Sequence, residues 1–536
     1  MRRAILFGCL LQQFPSQAQV LPFWSNIYQQ APNKHHYLND MEVNSEGDIW
    51  MYGVATDTIG WRMGMVVKYS GQGFVQDWAV EFLDYGQLTD IDIDDSNYVY
   101  VGTTDYDTIG STGSNYLTKK ISPSGMVEWS ATYSGIGPNN LDRASALCVD
   151  GQGNVMITGF GDRPDYKFDW FTVKYDGNGN QLWVAQHSPP TDFGGTYGGV
   201  DIAIDAADNI YVTGLSHDTI NGDFATIKYA PDGTQLWIRR EGGSHFSFGR
   251  VIRVKDDRVY VGGHFTHNDL DSSDVLVACY DTAGSHLWTT VYNAPPFFNP
   301  PWYNGRETLE DLQIDDLGNV YFTGTEFATN GSRDDYMIVK LDPNGDVVWG
   351  QHYGAGTGWD DARSMFVDAQ GSVYVTGRSE GAPEGISVVH TVKFDLNGTQ
   401  LWYSPFSTAL FDYHYPGEIR WDGGNFFYVG ASRNSTNGGQ LILLGYWITT
   451  GIPQFDHGSQ IAVFPNPASD LVQVDLSDRP GQMQVAIIDA SGRTVLSEAL
   501  VGGGLSVLQV AGLTSGAYCL RVMGDGDVTH GRLVIE

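Results

Sequence analysis

Positive charge is scarce in this chain: 30 Lys and Arg face 63 Asp and Glu across 536 residues, a formal net charge of −33. Such a field repels a phosphate backbone, so nucleic acid is excluded as a natural partner. Cationic ligands, Ca²⁺ and neutral glycans remain open. Cysteine is nearly absent, with only Cys9, Cys148, Cys279 and Cys519, each far from the others. That excludes a disulfide framework, and no Cys/His spacing resembles a zinc site; the residues read as small, buried and apolar. No stretch beyond the first residues is long and apolar enough to span a membrane. Helical apolar spacing is missing. So are the common catalytic signatures: Gly-x-Ser-x-Gly, His-Glu-x-x-His, a phosphate-binding glycine loop, or a Cys-His arrangement.

What the chain has instead is glycine, 66 residues, with 13% aromatics and 42% hydrophobic residues. This is the composition of an all-β protein rich in tight turns. The start has the shape of a secretory signal: basic Met1-Arg2-Arg3, an apolar stretch from Ala4 to Leu11, then Ser16-Gln17-Ala18. Cleavage is expected after Ala18, making residues 1–18 the signal peptide.

Internal repetition sets the architecture. An alternating strand, Asp-x-x-Gly-Asn, a strand ending Thr-Gly, a variable loop, a strand ending Lys-Tyr-Asp, x-x-Gly-x and a Trp strand recur in that order. The clearest copies begin at Asp150, Asp205 and Asp315; weaker ones begin near Asn44, Asp94, Lys255, Asp368 and Asp422. Trp78, Trp129, Trp183, Trp237, Trp288, Trp349 and Trp402 are spaced by 51, 54, 54, 51, 61 and 53 residues. Four short strands per interval of that length is the spacing of a propeller blade. The last copy lacks its Trp strand, and Trp24-Ser-Asn-Ile-Tyr28 supplies one at the other end of the chain. An eight-bladed β-propeller over residues 19–451, closed by its N-terminal strand, is therefore expected. The repeats resemble a family of bacterial secreted proteins built from such propeller repeats.

Past Gly451 the pattern changes. Residues 452–536 read as short strands of a small immunoglobulin-like β-sandwich. Its landmarks are Pro465-Asn466-Pro467, a turn at Gly492, and Leu513-Thr514-Ser515-Gly516-Ala517-Tyr518. In that order at a chain's end they resemble the C-terminal sorting domain of the type IX secretion system. The resemblance implies export through the periplasm to the outer surface, with the secretion machinery and a sortase-like protease as partners. The chain departs from that pattern by ending Arg532-Leu-Val-Ile-Glu536 instead of in a Lys-rich strand.

Ligand chemistry is expected on the face carrying the variable loops. The longest loop holds Phe297, Phe298, Trp302 and Tyr303, stiffened by prolines and followed by Arg306 and Glu307. Next come Tyr413, His414 and Tyr415, then Trp359 with Asp360 and Asp361, and Lys34-His35-His36-Tyr37. Flat aromatic faces suit sugar rings, so a polysaccharide or a surface protein is the expected partner. The innermost strands offer a second site. Alternation with their apolar phase brings Asp40, Glu42, Asp90, Asp92, Asp201, Asp311 and Glu418 to the central channel, opposed by Arg253 and Arg420. That channel would attract Ca²⁺, the one candidate cofactor. Lys68, Lys120, Lys174, Lys228, Lys340 and Lys393 share one repeat position and read as partners of the turn Asp that follows them. Asp-Thr-Ile at Asp57, Asp107 and Asp218 matches a bacterial O-glycosylation acceptor and equally an ordinary turn. The expected role is a non-enzymatic binding or adhesion module. The alternatives are a carbohydrate-active enzyme built from carboxylates of different blades and a structural coat protein.

Overall fold

In the computed structural model the described residues are those of 18–535 other than 21, 23, 29–34, 57–61, 71–74, 83–85, 107–112, 136, 138–140, 166, 190–197, 218–221, 242–245, 267–272, 294–306, 328–333, 356–357, 382–385, 408–412, 436–437, 449–462, 465–467, 469–470, 477–480, 489–493, 515 and 524–527. Only β-strands, turns and bends occur among them, and no helix is long and apolar enough to cross a membrane. The strands up to Trp447 form eight successive sheets, each with four antiparallel strands in a simple up-and-down order. The chain is a β-propeller.

The last sheet completes itself with the first full strand of the chain. Trp24–Tyr28 runs antiparallel to Gly438–Trp447, with Trp24 opposite Gly445 and Tyr28 opposite Leu441. Both edges would otherwise expose unpaired backbone groups. A smaller addition went unforeseen: Ala18–Gln19 pairs parallel with Gln400–Phe406, adding a fifth strand to the seventh sheet. The expected cleavage point after Ala18 falls within that pairing.

The repeat is a set of bolts between sheets. Six of these Trp residues, Trp78 to Trp349, send the indole N–H to a backbone carbonyl in the next sheet's last turn, among them Trp129 to Gly177 at 3.0 Å, Trp183 to Pro231 at 3.0 Å and Trp349 to Leu396 at 3.1 Å. The glycine in that turn has positive φ and lies flat on the ring. At Gly179, φ is 83°, and a Cβ would stand 2.8 Å from Trp129. The same holds for Gly233 on Trp183 and Gly398 on Trp349. Glycine is required there twice, by backbone conformation and by the neighbour's ring.

Four of the six repeated lysines, Lys68, Lys174, Lys228 and Lys393, pair with the Asp of the earlier turn and not the later one. Lys174 meets Asp150 at 3.0 Å, Lys228 meets Asp205 at 3.7 Å and Lys393 meets Asp368 at 3.9 Å. Pairing explains the choice: Lys174 lies opposite Met156 on the strand that Asp150 introduces. Lys228 also stands over the Tyr211 ring, whose hydroxyl donates to Asp205 at 2.8 Å. Cys148 and Cys279 are free and buried.

The C-terminal residues form two antiparallel sheets of three and four strands around one apolar core that includes Val472, Val485, Leu508, Leu520 and Leu533. Gly516 opens the strand Gly516–Met523. Tyr518 is buried, and its hydroxyl donates back to the Thr514 carbonyl at 2.7 Å. This corner accounts for the Thr-Ser-Gly-Ala-Tyr spacing. Pro465, Asn466, Pro467 and Gly492 lie outside the described residues.

Candidate functional site

Two groups of carboxylates meet opposite fates. The first is the channel set. The apolar phase of the innermost strands is buried between sheets, with Met41, Ile91, Ile252, Leu312 and Ile419 all nearly inaccessible. The opposite phase brings the predicted acids together around the axis, as alternation requires. They are clasps. Asp90 accepts the N–H of Ile91 at 3.0 Å with one oxygen and that of Leu147, in the next sheet, at 2.9 Å with the other. Asp92 does the same for Ile93 and Val149, both at 2.8 Å. Asp201 accepts from Ile202 at 2.9 Å and Ile252 at 2.8 Å, and Asp311 from Leu312 at 2.7 Å and Met365 at 2.9 Å. A carboxylate so placed satisfies donors that an edge strand leaves bare.

The two arginines finish the ring. Arg253 spans Asp201 at 3.0 Å and Asp311 at 3.3 Å. Arg420 closes the seam between last and first sheets, reaching Asp40 at 3.0 Å, Glu42 at 3.4 Å and Glu418 at 2.7 Å. Where charge is not neutralised, protons remain. Burial, then the adjacent Asp40, holds Asp90 well above the ordinary carboxylate range, and burial lifts Asp92 to about 6. Burial also lifts Glu42 to about 8 against the pull of Arg420. These acids do not fit the expected Ca²⁺. Their oxygens are already engaged by N–H donors, whereas Ca²⁺ takes six or more oxygen ligands. Among the described residues no group of three or more His, Cys, Asp or Glu is arranged to hold a metal ion.

The second group lies on the loop-bearing rim of the sixth sheet, where its strands Thr308–Ile314, Val320–Phe327 and Asp334–Leu341 end. Glu326 is directly opposite Asp335, and Thr308 is opposite Thr325, so Glu307 falls opposite Glu326. Three carboxylates thus stand abreast, each about 5 Å from the next by strand spacing. The row ends over Gly354, where any Cβ would collide with the Asp335 carboxylate. Glu307 and Asp335 are 3% and 6% exposed, and Asp335 Oδ1 is buried with no hydrogen-bond partner. The ring of His352, half-exposed, lies 3.8 Å from Glu326. Burial, then Glu307 and Asp335, lifts Glu326 to about 8. Asp360, at the start of the seventh sheet, is lifted to about 6 by burial, with Asp335 and Asp361 adding to it. Trp359, half-buried, directly precedes it.

Two other rim acids are compensated, while Asp142, like Asp335, keeps a buried Oδ1 with no hydrogen-bond partner. Asp169 binds Arg163 at 2.9 Å and accepts from Ser188 at 2.6 Å, and Glu310 meets both Arg250 and Arg363. The sixth-sheet row stands apart from them.

Of the aromatic candidates, only two have described side chains. Trp359 is half-buried and precedes Asp360, and Tyr415 is exposed. The side chains of Tyr413 and His414, the whole of Phe297, Phe298, Trp302 and Tyr303, and the Asp-Thr-Ile segments lie outside the described residues. His36, placed among the ligand aromatics by sequence, is buried with Nδ1 2.9 Å from the Gly439 carbonyl, so it belongs to the seam. Glu326 and Asp335 were not anticipated. Their signal was Glu326, where other repeats carry Gly161, Ser216 or Phe265, opposite an aspartate position that Asp335 shares with Asp169, Asp223 and Asp274.

Residues 462–536 match the family model described as secretion system C-terminal sorting domain. The chain is a bacterial secreted β-propeller, exported through type IX secretion to the cell surface or beyond. An uncharacterized WD repeat-containing protein of Acanthamoeba polyphaga mimivirus is 22% identical over 371 residues, 54% of this chain and 24% of its own length. The chain therefore spans about a quarter of that relative. Among solved structures, the WD40 domain of SCAP from fission yeast has a TM-score of 0.43 at 10% identity, covering 79% of this chain and 98% of that one. The propeller domain of the Trilobed protease from Pyrococcus furiosus gives 0.40 at 14%, covering 68% and 95%. Polysaccharide lyase Uly1 gives 0.42 at 9%, covering 68% and 90%.

Proposed function

We propose that this protein is an eight-bladed propeller with an immunoglobulin-like sorting sandwich, and that it acts outside the cell as a non-enzymatic binding or adhesion module. The ligand engages the loop-bearing rim, with a glycan as the first expectation. The observation that carries this reading is Asp335 at the loop-bearing rim, whose buried Oδ1 has no hydrogen-bond partner and which stands directly opposite Glu326, against channel acids such as Asp90 and Asp201 that clasp neighbouring sheets. Buried polar groups left without partners cost free energy, and a binding site is where such a cost is offset by a ligand. A glycan array run on the exported protein should show binding that Trp359→Ala reduces. Sustained turnover of a bound glycan, lost in Glu326→Gln, would replace this reading with that of a hydrolase or lyase, for which Glu326, lifted to about 8 by burial and then by Glu307 and Asp335, is the favouring feature. Deleting residues 462–536 should leave a folded propeller in the periplasm; normal surface display would refute the sorting role.

A further inference from the structure

We infer that the edge strand Leu505–Gln509 of the sorting sandwich is where the export machinery grips the chain, by laying an extended, uncharged, apolar-faced segment of its own alongside it as an added strand. This goes beyond the binding-module reading and rests only on the export role of residues 462–536. Leu505–Gln509 pairs with Leu471–Asp475 on one side, and among the described residues no strand pairs with its other side. Bare backbone groups along such a side are a template for strand addition. Leu508 is fully buried in the core, whereas Leu505 and Val507, on the opposite side of the strand, are 56% and 46% exposed. Leu471, diagonal to Val507 on the neighbouring strand, is 41% exposed.

What covers this edge follows from its charge and its size. Edges are ordinarily guarded by charge, and the other long edges of the sandwich are: Thr494–Val501 holds Glu498 and Val528–Ile535 holds Arg532. Leu505–Gln509 holds none, and no residue from Ala499 to Leu520 is charged, in a chain where 17% of residues are. A charged partner therefore gains nothing here, while an apolar, uncharged strand gives up no charge to water by docking. A second copy of this chain would offer the same edge, but the shared area is too small. A stable dimer buries roughly 1,200 Å² or more, and an edge about 17 Å long offers less. A short, uncharged contact suits a carrier that binds the chain, passes it on and releases it.

The test is surface display of the full chain in a host with the type IX system, read as the fraction reaching the surface after a pulse of synthesis. Val507→Lys and Leu505→Lys should each lower that fraction at least about tenfold and leave folded protein in the periplasm, with the melting temperature of the purified chain unchanged. Val507→Thr, neutral and strand-forming, should be displayed normally. So should Val501→Lys, at a residue that is more exposed but lies off this edge. Normal display of either edge lysine variant would overturn the inference, as would an equal loss in Val501→Lys. A fall in melting temperature accompanying the loss in both edge variants would mark the strand as structural and overturn it too. A parent dimer in sedimentation that Val507→Lys dissociates would give the edge to a second copy instead. Display that persists without residues 462–536 would remove the sorting role itself, whereas display lost on that deletion but kept in the lysine variants would remove this inference alone.

Discussion

The channel and the sixth-sheet rim hold the same functional group in comparable burial, yet they use it in opposite ways. In the channel, Asp90, Asp92, Asp201 and Asp311 each accept two backbone N–H groups, one from their own strand and one from the adjoining sheet. At the rim, Asp335 keeps a buried oxygen without a donor, and burial, then Glu307 and Asp335, lifts Glu326 to about 8. A carboxylate is structural where donors converge on it; at the rim, where they do not, a binding role is what we propose. Its type and burial are the same in both places.

That contrast is open to direct attack. The largest effect should come from Asp201→Ala, which strips acceptors from Ile202 and Ile252 and leaves Arg253 with only Asp311. A loss of about 2–4 kcal/mol in denaturant unfolding is expected; a neutral result would mean that the clasps contribute nothing. Asp92→Ala should cost less, about 1–2 kcal/mol, because it loses two N–H contacts but also removes an acid whose ionisation burial opposes. Rim changes should go the other way. Glu326→Gln removes a group lifted to about 8 from its ordinary value of 4.5, so it should stabilise at alkaline pH, by about 1–3 kcal/mol.

The sign of the pH dependence is fixed. Below about 4.5 Glu326 is protonated both folded and unfolded, and contributes nothing. As pH rises towards 8 the unfolded chain ionises while the folded one does not, so stability falls and then levels off. The melting temperature of Glu326→Gln should therefore match the parent near pH 4 and exceed it by a few degrees near pH 8. A gap independent of pH would show that Glu326 is not proton-bearing, and would blur the distinction between rim and channel.

Much of the fold was legible because its signals are local and repeated. The Trp interval, the Asp-x-x-Gly turns and the orphaned Trp24 strand led to the sheets, their order and the pairing of Trp24 with Gly445. The site was less legible. Alternation pointed to the channel acids, but the donors to Asp90, Asp92, Asp201 and Asp311 include backbone N–H groups of the next sheet, and no side-chain code marks those. The lysine partners were misassigned for a similar reason: Asp176 is nearer in sequence to Lys174, while strand pairing brings Asp150 to it.

Sequence by itself determined the all-β class, the repeating sheet, the closing strand and the export domain, since each depends on alternation, turn chemistry or an ordered motif along the chain. Only the tertiary structure decided which carboxylates are clasps and which form an open row. That outcome depends on cross-strand register and on donors some fifty residues away, and electrostatic compensation is a property of neighbours in space.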